Sequence, residues 1–233
     1  MIRRLFVILL LLGLGGVFAG LVAGYSPDDA LNLTARYYAE HTAQDIGAAN
    51  IVTAIIVTYR GLDTLGEVTV LFLTAAIVGM VLVQSRRKAD APQRALPPSG
   101  ELLTTGTRLL VPLILLLGVY VFVNGHLTPG GGFQGGAILA SAVLMLLLTD
   151  PLLRIGHGLI AAIESTAGLI FVGIGVLGIL LAGGFLDNRI LPIGDLGNLF
   201  SAGAIPIIYS FIGLKVGAEF SSMLANLSET EDL

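Results

Sequence analysis

The chain is divided into long apolar stretches almost free of charge, and no other property restricts its fold so severely. Leu5–Gly24, Leu65–Val83, Leu102–Val123, Phe133–Leu148, Leu159–Leu181 and Phe200–Leu224 approach or exceed the length of a membrane helix, about 20 residues. A further stretch, Ile46–Tyr59, is shorter. With 55% hydrophobic and 12% charged residues, a water-soluble domain is excluded. The expected fold is all-α, a polytopic membrane protein of about seven transmembrane helices. The 31 glycines show no G-X-Y repeat, so they suit membrane helices that pack through small residues. The absence of cysteine removes disulfides, thiolate metal sites and iron–sulfur ligation. The three histidines are scattered, so neither a metal nor another cofactor is expected. No basic stripe points to nucleic acid, and no nucleophile–base constellation points to a catalytic site of the chain's own.

Composition also sets the organisation. The first stretch follows Arg3 and Arg4 and is longer than the apolar core of a signal peptide, about 7–15 residues, so it reads as a retained helix. Gly16, Gly20 and Gly24 form a doubled GxxxG on one of its faces, a surface for close helix packing. Residues 25–45 are polar and form a loop or surface helix outside the hydrocarbon. At Gln84 the composition changes to Ser85-Arg86-Arg87-Lys88-Ala89-Asp90 and then Pro92, Pro97 and Pro98. Residues 85–100 therefore read as a linker between a three-helix module, 1–84, and a four-helix module, 101–233. The basic cluster Arg86, Arg87, Lys88 and Arg94 predicts a cytoplasmic linker and, counting onward, a cytoplasmic C-terminus. Counting back across three helices puts Arg3 and Arg4 outside, against the same rule, unless Ile46–Tyr59 does not fully cross.

A charged side chain at bilayer depth costs about 2.5–3.5 kcal/mol, so each one marks a pairing or a functional position. Arg60, Asp63 and Glu67 are three or four residues apart. A helix starting near Asp63 would put Asp63 and Glu67 on one face, with Asp63 or Thr64 as its cap and Arg60 within pairing reach. A structural turn and part of an ion path are both open readings. Glu164 stands inside an otherwise uncharged helix, as either a neutral hydrogen-bonded group or a proton-transfer group. Lys215 and Glu219 are i,i+4 and can neutralise each other, or snorkel if they lie near a cytoplasmic end. Pro206 should kink the last helix and free a carbonyl near Ala202.

The run His126-Leu127-Thr128-Pro129-Gly130-Gly131-Gly132-Phe133-Gln134-Gly135-Gly136 stands at a helix entrance. It lacks the Lys-Ser/Thr pair of a phosphate loop. Its glycines instead permit a tight re-entry followed by a helix whose small residues, Gly136 and Ala140 or Ala137 and Ser141, pack closely. His126 reads as a hydrogen-bonded loop residue rather than a ligand.

Residues 124–148, NGHLTPGGGFQGGAILASAVLMLLL, closely resemble the signature of the B subunit of Mrp-type multisubunit cation/proton antiporters, the MnhB family. The resemblance covers roughly 101–226, and Pro129, Gly130, Gly131, Gly132, Phe133, Gly135 and Gly136 carry it. Residues 47–73 resemble the C-terminal part of the large Mrp A subunit and the E-type subunit of archaeal membrane-bound hydrogenases. There the specific core is Arg60, Gly61, Asp63, Thr64, Gly66 and Glu67. The departure from an ordinary Mrp antiporter is the fusion of these two modules in one chain.

The resemblance implies a prokaryotic plasma-membrane subunit working among other membrane subunits, with sodium ions and protons moving through the assembly and Glu67 foremost in the path. Asp63, Arg60, Glu164, Lys215 and Glu219 are further path candidates. The host is expected to be an Mrp-type antiporter or, alternatively, the membrane arm of a related redox complex of the hydrogenase type. A purely structural tether is the competing function.

Overall fold

The computed structural model describes residues 2–26, 30–88, 99–150, 153 and 155–231; of 2, 83–88 and 229–231 it describes the helical backbone alone. Asp28 and Asp29, residues 89–98 of the expected linker with its prolines and Arg94, and Arg154 lie outside the described residues. The side chains of Arg86, Arg87 and Lys88 do too.

Two compact units emerge, Met1–Tyr37 and Tyr38–Leu233. The first holds α1 (Ile2–Ala23) and the start of α2 (Leu33–Asp45), which Asn32 caps by accepting the Ala35 amide at 2.8 Å. Gly16 and Gly20 of α1 have nothing within 4 Å of where a Cβ would stand, and Gly24 has only the Gly20 carbonyl of its own helix.

The second unit contains the end of α2, α3 (Ile51–Thr53, continued by the π-helical turn Ala54–Tyr59), α4 (Gly61–Lys88), α5 (Glu101–Val123), α6 (Gly132–Thr149), α7 (His157–Leu181) and α8 (Ile205–Glu231). Every regular element among the described residues is helical, as expected. Six helices, α1 and α4 to α8, are long and apolar enough to cross a membrane. The difference from about seven is Ile46–Tyr59, which holds no helix long enough to cross a membrane. Its three α-helical and six π-helical residues rise only about 13 Å, less than half a hydrocarbon core of about 30 Å. They form a half-helix instead, and its Ala54 and Val57 are fully enclosed.

α8 is the hub, packing on α4, α5, α6 and α7. Its α6 seam has no room for side chains. A Cβ on Gly132 would stand 2.5 Å from Ile212, and one on Gly136 2.7 Å from the Gly213 carbonyl. One on Gly135 would stand 2.7 Å from the Gly118 carbonyl of α5. The seam uses Gly136 and Ala140, whereas Ala137 and Ser141 are exposed. Gly130 and Gly131, both at φ 157°, make the re-entry before it.

Two local expectations are corrected. Pro206 does not kink α8, because the helix starts at Ile205 and proline in a first turn removes an amide that has no helical partner. The Ala202 carbonyl is not free, since it accepts from the Asn188 side chain at 3.0 Å and the Ile205 amide at 3.1 Å. Helix α4 extends to Lys88, so residues 85–88 of the expected linker are helical.

Candidate functional site

Three groups of polar side chains are built into the second unit. The first is a knot that ties the half-helix to two loops. Asn50 accepts the Val52 and Thr53 amides, capping α3, while its side-chain amide donates to the carbonyls of Gly125 (2.9 Å) and Thr128 (3.0 Å). The Thr53 hydroxyl donates to Gly125 O at 2.6 Å and receives the Tyr209 hydroxyl at 3.1 Å. Asn188 donates to Ile46 O (2.8 Å) as well as to Ala202 O, joining the 182–204 loop to the residues before the half-helix.

His126 is completely enclosed here, with Nε2 3.4 Å from Asn198 O and Nδ1 without a partner. Burial pushes its pKa below 6.5, partly offset by the nearby backbone at Asn198, Leu199 and Val123. Asp187 holds Arg189 through paired hydrogen bonds, the shortest 2.5 Å. Burial alone would raise Asp187, but those bonds and the arginine charge outweigh it and hold the carboxyl below its usual value.

The second group is the start of α4. Arg60 and Asp63 form an ion pair at 2.5 Å with both side chains more than half exposed, and Glu67 is exposed on the next turn. The expected cap does not form. The helix begins at Gly61, two residues before Asp63, and Thr64 instead donates to Ile56 O at 2.5 Å, a carbonyl in the π-helical turn.

The third group lies on a cleft of 310 Å³ between α4, α7 and α8. Glu164 and Lys215 line it, with Phe72, Ser165 and Gly168. Lys215 donates to Glu219 at 2.7 Å, and the two residues are 7% and 0% exposed. Snorkelling is thus overturned: both are enclosed mid-helix, away from either end of α8. The structure brings Glu164, Lys215 and Glu219 into one region, while Arg60, Asp63 and Glu67 stay on an exposed face.

Asn50, Thr53, Asn188 and Tyr209 were not among the sequence candidates. Asn50 carried a signal, an Asx residue directly before the helical Ile-Val-Thr run. Asn188 carried none, since its partners are remote in sequence.

Comparison with known proteins adds the lineage. Residues 102–222 match the family described as a domain related to the MnhB subunit of Na+/H+ antiporters, and residues 2–96 match the MbhE family, the E-type component of MBH. A chain from the structure of the membrane-bound sulfane sulfur reductase, an archaeal respiratory membrane complex, is 42% identical, with a TM-score of 0.82, over 97% of this chain and 98% of that one. A chain of the Mrp complex from Dietzia sp. DQ12-45-1b is 27% identical, with a TM-score of 0.76; the likeness covers 97% of this chain but 26% of that one. An uncharacterized protein of Methanocaldococcus jannaschii is 30% identical over 77% of each chain. With more than half of its length matched, the chain belongs to the family of membrane domains related to the MnhB subunit of Na+/H+ antiporters.

Proposed function

We propose that this chain is a plasma-membrane subunit that helps form the cation path of a multisubunit complex moving sodium ions and protons. The observation that carries the reading is the exposed face of α4. Arg60 and Asp63 at its entrance, and Glu67 one turn further, present charge outward from a stretch long and apolar enough to span the bilayer. Facing lipid, such groups would cost about 2.5–3.5 kcal/mol each, so they face a neighbouring subunit or water held between subunits. A path made only within this chain would have them turned inward.

The host is the membrane arm of a respiratory redox complex rather than a free-standing antiporter. The likeness to the sulfane sulfur reductase chain, at 42% identity, exceeds that to the Mrp chain, at 27%. Purifying the complex and identifying its subunits decides the host. Redox subunits support the respiratory assembly, and antiporter subunits alone refute it.

Glu67→Gln should leave a complex that assembles but loses most of its sodium-dependent proton movement in membrane vesicles, while Glu67→Asp keeps part of it. Normal movement by the Gln variant would make the subunit a tether.

The half-helix also favours one direction of threading in this reading. With one crossing fewer, Arg3 and Arg4 fall on the same side as Arg86, Arg87 and Lys88, and the positive-inside rule holds throughout. The linker and both chain ends are cytoplasmic, and the Asn50–His126–Asn188 knot is external. Cysteine substituted for Ser228 should resist an impermeant label applied to intact cells, and cysteine substituted for Leu196 should react; the reverse pattern would invert the topology.

A further inference from the structure

The Lys215–Glu219 pair has a property that a simple structural pair lacks: a second carboxylate at the same depth. Helices α7 and α8 pack together and run antiparallel, so moving toward the start of α7 and toward the end of α8 leads to the same membrane face. Lys215 lies across Gly168, its Cδ, Cε and Nζ 3.4–3.5 Å from where a Cβ there would stand. Glu164 is one turn from Gly168 toward that face, and Glu219 is one turn from Lys215 toward it. Residues one turn apart have Cβ atoms roughly 5–6 Å apart. The ammonium is therefore flanked by a carboxylate on each helix.

Burial sharpens the point. Lys215 stands ten residues into α8, about 15 Å along it, near the middle of a hydrocarbon core of about 30 Å. Glu219 uses one oxygen for Lys215, and its enclosed Oε2 has no hydrogen-bond partner. The Phe72 ring of α4 faces the ammonium with its centroid at 4.9 Å, a surface on which a cation can rest between partners. Two carboxylates and one ammonium leave one negative charge in excess when all are ionised. A buried pair kept for strength would have its remaining lone pairs satisfied and no surplus charge beside it.

We propose that the Lys215 ammonium moves from Glu219 to Glu164 and back, with Glu164 ionised throughout, and that Glu219 takes up a proton while the ammonium is away, so that the α4–α7–α8 cleft is a proton-holding station within the membrane. The lysine keeps its three protons throughout. The vacated carboxylate gains one proton as the ammonium departs and gives it up when the ammonium returns, so the cluster alternates between one excess negative charge and none. A proton needs a single acceptor oxygen, which Glu219 Oε2 supplies, whereas a hard metal cation needs a shell of several. The proposal rests on the reading of the chain as part of an ion path and names a station for it distinct from Glu67.

The test uses the assembled complex in membrane vesicles. Glu164→Gln leaves the Lys215–Glu219 pair intact and so keeps the fold, yet should slow proton movement roughly tenfold or more, as expected when a proton-transfer group is neutralised. Lys215→Met combined with Glu219→Gln removes both charges together and should give a similar loss with normal subunit composition. Wild-type rates in Glu164→Gln would overturn the proposal whether or not the double variant assembles. Glu67→Gln measured in parallel separates the two claims. If it blocks movement while Glu164→Gln does not, the station is wrong and the ion-path reading stands; if neither slows it, both fall.

Discussion

His126 is held in its neutral form by enclosure, and that makes the knot of loops around it sensitive to acid. Its folded pKa lies below the unfolded value of about 6.5, so between the two the unfolded chain binds more protons than the folded one. The stability it contributes is present above about pH 6.5 and is lost as pH falls through the folded pKa. Protection of the amides in 124–131 against hydrogen exchange, corrected for the slower intrinsic exchange in acid, should therefore fall when the pH drops from about 7.5 to 5.5. His126→Gln should flatten that response, and an unchanged pH dependence in the variant would assign it to another group. His126 was legible as a loop residue with a hydrogen bond, but its complete enclosure was not, because Asn198 and the half-helix reach it from far along the chain. The Lys215–Glu219 pair was legible from its i,i+4 spacing alone, a contact internal to one helix. Gly168, over which the lysine lies, gave no sign of its role.

Among the elements, the long helices declared themselves through apolar length and the half-helix did not. Ile46–Tyr59 is as apolar as a crossing, and what stops it is Asn50 on one side and a π-helical end at Arg60 on the other, where the amide reaches back to Ile55 O at 2.8 Å. Pro206 misled for a related reason: the apolar run begins before the helix does, since Ala202 adopts φ 60° and breaks the approach. Helix α1 offers the converse case, a packing motif visible in the sequence with no partner in its own unit. Its Gly16 and Gly20 are open, and Gly24 meets only its own helix, which fits a surface meant for another subunit. Gly20→Leu should leave the chain's own fold intact while lowering retention of the subunit in the purified complex. Unchanged stoichiometry would remove α1 from the assembly interface.

For the whole molecule, the sequence supplied an all-helical membrane protein with its two family relationships, and missed how the second unit closes. That closure depends on α8 touching every other long helix of its unit, and no periodicity in one helix reveals how many neighbours surround it. The two family matches end at 96 and restart at 102, while α4, from the first match, packs on α8, from the second. The two faces of α8 consequently serve unlike ends. Where Gly132 and Gly136 bring backbone against backbone, no void remains for a water molecule, and a chain of waters cannot thread between α6 and α8 there. On the proposed ion-path reading, ions at the level of these glycines are left the opposite side of α8, where Lys215 lies, and residues that look like mere packing act there as insulation.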